Sequence, residues 1–264
     1  MMKTNRALAY RLMDIYRRCF GLGIIELTGK TTGQIEQLPY LPDMISSTVA
    51  LLLNSRAGLL NTIKKYLIPD LMLGEQKMEF IFIRHGHGEH LNDYPNLLNT
   101  LHPSLTEFGK FQVTQLRNEI EIDPDDLVLV SPTKRTIETV TIIKNGVDFI
   151  ISPLVGPRMF PQNPEFPFLA CDVILSKTEI TNLYGDTEIL DFNLDCWKKG
   201  INRIEQDVFE GYAKQLLDWI GESYKKIFII SHDGTITNYR ILLGEKGLTR
   251  EDFLGEAGVY RMKL

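Results

Sequence analysis

Phe80-Ile81-Phe82-Ile83-Arg84-His85-Gly86 sets four large apolar residues directly against two basic side chains and a glycine. A run of this length without alternation suits a strand covered on both faces. It predicts a strand over 78–83 whose end carries chemistry. Reading outward, apolar runs alternate with amphipathic segments. Strands are expected at 127–130, 147–151, 226–230 and 258–263, and helices at about 105–120, 132–144, 201–220 and 235–243. Such alternation predicts an α/β fold, a three-layer sandwich in which a mostly parallel central sheet is flanked by helices. Ser104 with Glu107 fits a capping box ahead of the first helix, and Ser131-Pro132 fits an N-cap and first helical position for the second.

Before residue 76 the pattern differs. Leu8, Leu12, Ile15 and Phe20 recur at roughly helical spacing, and two further helical runs, 43–54 and 56–68, are punctuated by Pro42 and Pro69. Residues 1–75 carry nine Lys/Arg against six Asp/Glu, so this part is near +3 and the remainder near −8 of a total of −5. The chain therefore divides into a helical N-terminal extension, 1–75, and a main domain, 76–264. The extension is expected to pack on the main domain; service as a lid or as a homodimer contact is the other option.

Composition narrows the function classes. A net charge of −5 over 264 residues, without a long basic run, offers no surface for nucleic acid. Cys19, Cys171 and Cys196 are widely spaced and form no CxxC pair, which argues against a disulfide framework or structural zinc and for a cytoplasmic setting. The apolar stretch Val49–Leu53 is broken by Asn54 and Arg56, so no membrane span is expected. Lys3, Arg6, Arg11, Arg17 and Arg18 are basic as in a transit peptide, but serine richness is missing and a helix fits as well.

Three expected strands end in charged clusters: Arg84-His85-Gly86, then Ser131-Pro132-Thr133-Lys134-Arg135-Thr136, then Ser231-His232-Asp233-Gly234. In open α/β sheets ligands bind beyond the carboxyl ends of strands, so the three can converge. Their chemistry is complementary. A phosphoryl group in transfer spreads negative charge over its oxygens, and Arg84 and Arg135 offer planar, permanently charged forks for them. A neutral imidazole at His85 has a lone pair for phosphorus, Gly86 lets a phosphate approach the backbone, and His232 at a helix start supplies a further donor.

These three clusters, together with Leu105-Thr106-Glu107-Phe108-Gly109 and Gln112, resemble the ordered signatures of the histidine phosphatase superfamily, in its phosphoglycerate mutase-like branch. The resemblance runs from about 78 to the C-terminus. It implies His85 as the phosphorylated nucleophile, Arg84, Arg135 and His232 as the phosphate pocket, a small phosphorylated substrate, and no metal or other cofactor. The family's glutamate after the next strand has no counterpart in Leu154–Phe160. Since an alkoxide leaves poorly without a proton, Glu165 is taken as first candidate for the general acid and Asp172 as second. Gly86, His87, His90, Asn92, Arg158 and Asp233 are the expected substrate contacts.

The expected reaction is hydrolysis of a phosphomonoester through a phosphohistidine. Three alternatives stand beside it. One is a phosphoglycerate mutase-type phosphotransferase; another is a non-catalytic phosphate-binding or interaction protein. The third is a zinc-dependent hydrolase, since His85-Gly86-His87-Gly88-Glu89-His90 is similar to the HxHxDH metal site of metallo-β-lactamase-type enzymes. That reading gives no task to Arg84, Arg135 or the SPxxRT block.

Overall fold

The residues of Phe80–Ile83 are fully buried on an inner strand of a six-stranded sheet, as their unbroken hydrophobicity requires. The computed structural model describes residues 78–163, 165–221 and 223–264; the helical extension expected for 1–75 lies outside them. The strands are β1 (Glu79–Arg84), β2 (Leu127–Val130), β3 (Ile150–Ile151), β4 (Glu188–Ile189), β5 (Lys226–Ser231) and β6 (Val259–Lys263). Their order is β4-β3-β2-β5-β1-β6. All neighbours are parallel except β6, which runs antiparallel along β1 at the edge.

The longer helices are α1 (Glu107–Arg117), α2 (Lys134–Ile143), α3 (Lys177–Tyr184), α5 (Gln206–Ile220) and α6 (Asp233–Leu242), with the single turn α4 at Cys196–Lys199. Side chains of a strand alternate between faces. Ile81, Ile83, Val128, Val130, Phe228 and Ile230 therefore form one face, which clusters with Val113 and Leu116 of α1 and Ile137, Val140 and Ile143 of α2. The alternate residues Phe80, Phe82, Leu129, Ile227 and Ile229 are buried too, as are Phe209, Leu216 and Ile220 of α5 and Tyr239 of α6. Each such side chain stabilises the fold by roughly 1.5–3 kcal/mol on full burial. The mostly parallel sheet flanked by helices is the expected α/β architecture. Among the described residues no helix is long and apolar enough to cross a membrane.

Several local expectations are corrected. The capping box of Ser104 and Glu107 does not form: Thr106 is the N-cap of α1 and accepts from the Gly109 amide, while the Ser104 amide donates to Glu89. Ser131 is not the cap of α2, whose N-cap is Thr133; its hydroxyl has another partner in the site. The strand expected at 147–151 shortens to Ile150–Ile151, because the Val147 amide turns back to the Lys144 carbonyl. The helix expected from 201 starts at Gln206, since the carbonyls of Ile201 and Ile204 are taken by Arg158. Finally, the stretch 152–195, where the alternating pattern places no strand or helix, contains α3 and β4.

Candidate active site

β1 and β2 both pair with β5, so their carboxyl ends stand side by side. Main-chain bonding continues one step past the strands: the His85 amide donates to Ser231 O at 3.1 Å and the Ser131 amide to Ile230 O at 3.0 Å. The three clusters read from the sequence are thereby brought together, and His232 caps the amino end of α6.

His85 is buried, and its Nδ1 lies 2.7 Å from Gly86 O. A carbonyl only accepts, so Nδ1 carries the proton and Nε2 keeps its lone pair. Arg135 Nε donates to that Nε2 at 3.1 Å. Arg135 Nη2 donates to His232 Nδ1 at 3.1 Å, which leaves the His232 proton on Nε2, and Nε2 donates to Ser131 Oγ at 2.8 Å. Arg135 Nη1 donates to Cys171 O at 2.7 Å, and Nη2 is 3.6 Å from Asp172 Oδ1. The edge of one ring faces the other between His85 and His232, with centroids 5.1 Å apart, and His90 stands 5.9 Å from His85. Arg84 reaches Leu254 O at 2.6 Å and Asp233 Oδ2 at 3.1 Å, with Glu256 at 3.6 Å; its buried Nε has no protein partner, nor has His90 Nδ1.

The electrostatics follow from crowding cations and imidazoles in a buried space. Burial, then Arg135 and Arg84, hold His85 well below an ordinary histidine, against the pull of its bond to Gly86 O. Burial and Arg135 lower His232 likewise, and with Arg84 they bring His90 down to about 3. Burial also lowers Arg135, partly offset by Asp172. Neutral imidazoles and guanidinium groups of this kind receive an anion and present an unprotonated ring nitrogen to it. Asp172 is the carboxyl beside this group: burial pushes it up, Asp233 adds to that, and Arg135 pulls the other way.

The remaining expected residues separate. Glu165 is exposed in a loop where its amide donates to Asn163, whereas Asp172 touches the Arg135 network. Arg158 is buried with its guanidinium given to Ile201 O, Ile204 O and Gln206, stacked 4.2 Å over the Phe209 ring. It binds this chain's own main chain. His87 turns to α1, with Nδ1 at 3.1 Å from Thr106 and its edge on Phe108, and Asn92 is exposed. Gly86 serves differently from the expectation: a Cβ there would come within 2.7 Å of Gly109 O and of Val113, so its smallness lets α1 approach while its carbonyl orients His85. Within His85–His90, Glu89 accepts from the Ser104 amide and His87 faces α1. Among the described residues no three His, Cys, Asp or Glu side chains gather to hold a metal ion. Sequence reasoning missed Ser131 as a partner of His232, although the SPxxRT block contains it, and gave Asn202 no role.

Residues 80–156, which contain His85, Ser131 and Arg135, match the family model described as histidine phosphatase superfamily (branch 1). Solved structures similar to this chain include an α-ribazole phosphatase from Shigella flexneri, at 18% identity over 70% of this chain and 89% of that one with a TM-score of 0.45. An ecdysone phosphate phosphatase from Bombyx mori aligns at 13% identity over 70% and 88%, with a TM-score of 0.49. A phosphoserine phosphatase from Entamoeba histolytica aligns at 18% over 70% and 89%, with a TM-score of 0.43. No curated protein matches the chain. The histidine phosphatase match ends at 156, so His232 and Asp172 are placed in the site by the structure's own geometry.

Proposed function

We propose that residues 76–264 form a phosphatase domain that hydrolyses a small phosphomonoester through a phosphohistidine at His85. The observation that carries the reading is the tautomer of His85: Nδ1 is tied to Gly86 O, so the Nε2 lone pair points at the Arg135 guanidinium, where phosphate oxygens would gather. A phosphoryl group that takes the donors of Arg135, Arg84 and His232 frees this lone pair to attack. A bond forms between Nε2 and phosphorus as the ester P–O bond breaks. The departing oxygen takes a proton from Asp172, the raised carboxyl beside Arg135, rather than from exposed Glu165. Water then attacks phosphorus, the N–P bond breaks, and Asp172 takes the water's proton back. His90 and Asp233 remain as substrate contacts; Arg158 is left out because both its Nη nitrogens are committed elsewhere.

Hydrolysis of p-nitrophenyl phosphate, whose leaving group hardly needs a proton, tests the nucleophile. Wild type should release nitrophenol and His85→Ala should not; equal rates would reject the nucleophile. Asp172→Asn should lose roughly 10²–10⁴-fold on glycerol 2-phosphate and clearly less on p-nitrophenyl phosphate, where only the return of the water's proton calls on it, while Glu165→Gln keeps both. Inorganic phosphate as sole phosphorus product separates hydrolysis from transfer to a second alcohol.

A further inference from the structure

A carboxylic acid that delivers a proton must carry it on the oxygen that faces the leaving group, and the two oxygens of Asp172 are in different surroundings. Oδ1 is 3.6 Å from Arg135 Nη2, on the phosphate side, and accepts only a long, weak bond from the Cys171 thiol, Sγ to Oδ1 3.8 Å. Oδ2 accepts from Asn202 Nδ2 at 2.9 Å. The orientation of that amide is itself fixed, because Asn202 Oδ1 accepts from the Met159 main-chain N–H at 2.8 Å. Turning the amide over would set its NH₂ against that N–H. Its main chain is held as well: the Asn202 carbonyl accepts from Gln162, and its neighbours Ile201 and Ile204 accept from buried Arg158.

We propose that Asn202 is a positioning residue which, by always donating to Oδ2, keeps the Asp172 proton on Oδ1, facing the phosphoryl pocket. This rests on the reading of Asp172 as general acid. The proton that travels is then the one on Oδ1, and after water attacks, Oδ1 receives it again while Oδ2 stays bonded to Asn202. The charged and titratable groups facing Asp172 are Arg135, Asp233 and Cys171, with Asn202 as the neutral donor. The Asn202 bond favours the carboxylate, so its removal should raise the Asp172 pKa further and also release the proton to either oxygen. The buried Arg158, which sequence reasoning set among the substrate contacts, becomes a support for this arrangement.

The test compares two esters with different demands for protonation. Asn202→Ala should lose about 10- to 100-fold in kcat on glycerol 2-phosphate, the scale seen when an outer partner of a site group is removed, and less than about 3-fold on p-nitrophenyl phosphate. The alkaline limb of its pH profile on glycerol 2-phosphate should move to higher pH. Asn202→Asp keeps an acceptor for the Met159 N–H but sets a second carboxyl beside Oδ2, so the two share a proton and the alkaline limb should move further up than in Asn202→Ala. Added to Asp172→Asn, Asn202→Ala should cost nothing more on either ester. Equal loss on both esters, an unmoved alkaline limb, or a full additional loss in the double variant would overturn the positioning role. If Asp172→Asn itself loses both esters equally, the assignment of the acid fails first, which is a distinct result.

Discussion

Arg135 concentrates the chemistry of the site in one side chain. It is 2% exposed and meets His85 Nε2, His232 Nδ1 and Cys171 O with separate nitrogens. A rigid fork holds such a set and a lysine ammonium does not. Arg135→Ala should lower kcat/KM on p-nitrophenyl phosphate by roughly 10²–10³-fold, and Arg135→Lys should recover little of it. Unchanged turnover in Arg135→Ala would show that the phosphoryl group binds elsewhere. At this scale the sequence was readable where a charged residue follows a strand, because strand order alone delivers His85, Arg135 and His232 to one edge. It could not rank the two candidate acids: Asp172, placed second to Glu165, sits in a 3₁₀ turn, Ala170–Asp172, whose position depends on the path of the whole loop from 152. Arg158 misled for a similar reason, since only the fold reveals that the carbonyls of 201 and 204 need its donors.

The elements position these residues by close approach. α1 lies against the His85–His87 segment so tightly that a Cβ on Gly109 would stand 2.1 Å from His87 O. Main chain meets main chain there, so neither side yields cheaply. Gly109→Ala should destabilise the domain by about 2–3 kcal/mol in denaturant unfolding and reduce activity with it. Gly211 in α5 is the control: a Cβ there would meet nothing within 4 Å, and Gly211→Ala should stabilise by about 0.5–1 kcal/mol. A neutral Gly109→Ala would mean that α1 sits further from the nucleophile. The long strands and α1, α2 and α6 were legible from apolar runs and periodicity. α3 was missed although Ser176 and Glu179 form a capping box around its start, and β4, two partly buried residues paired to β3, has too short a pattern to announce itself.

For the molecule as a whole, collecting three neutral buried histidines beside two arginines has a cost on acidification. The unfolded chain binds protons at these rings near the ordinary value of 6.5, whereas the folded domain binds them only well below it, at about 3 for His90. The stability these rings contribute is therefore fully present above about 6.5 and is lost as pH falls toward the folded values. The melting temperature should decline below pH 6.5, and inorganic phosphate, which favours cationic rings and binds the folded state, should raise it and flatten the decline. A melting temperature indifferent to both would contradict a neutral, anion-receiving pocket.

The most direct measurement is to quench p-nitrophenyl phosphate turnover in alkali within one catalytic cycle and map the phosphorylated residue by mass spectrometry. A base-stable, acid-labile phosphoryl group on His85, absent from His85→Ala, is the predicted result. A phosphoryl group on another residue, or steady turnover in His85→Ala, would contradict the account.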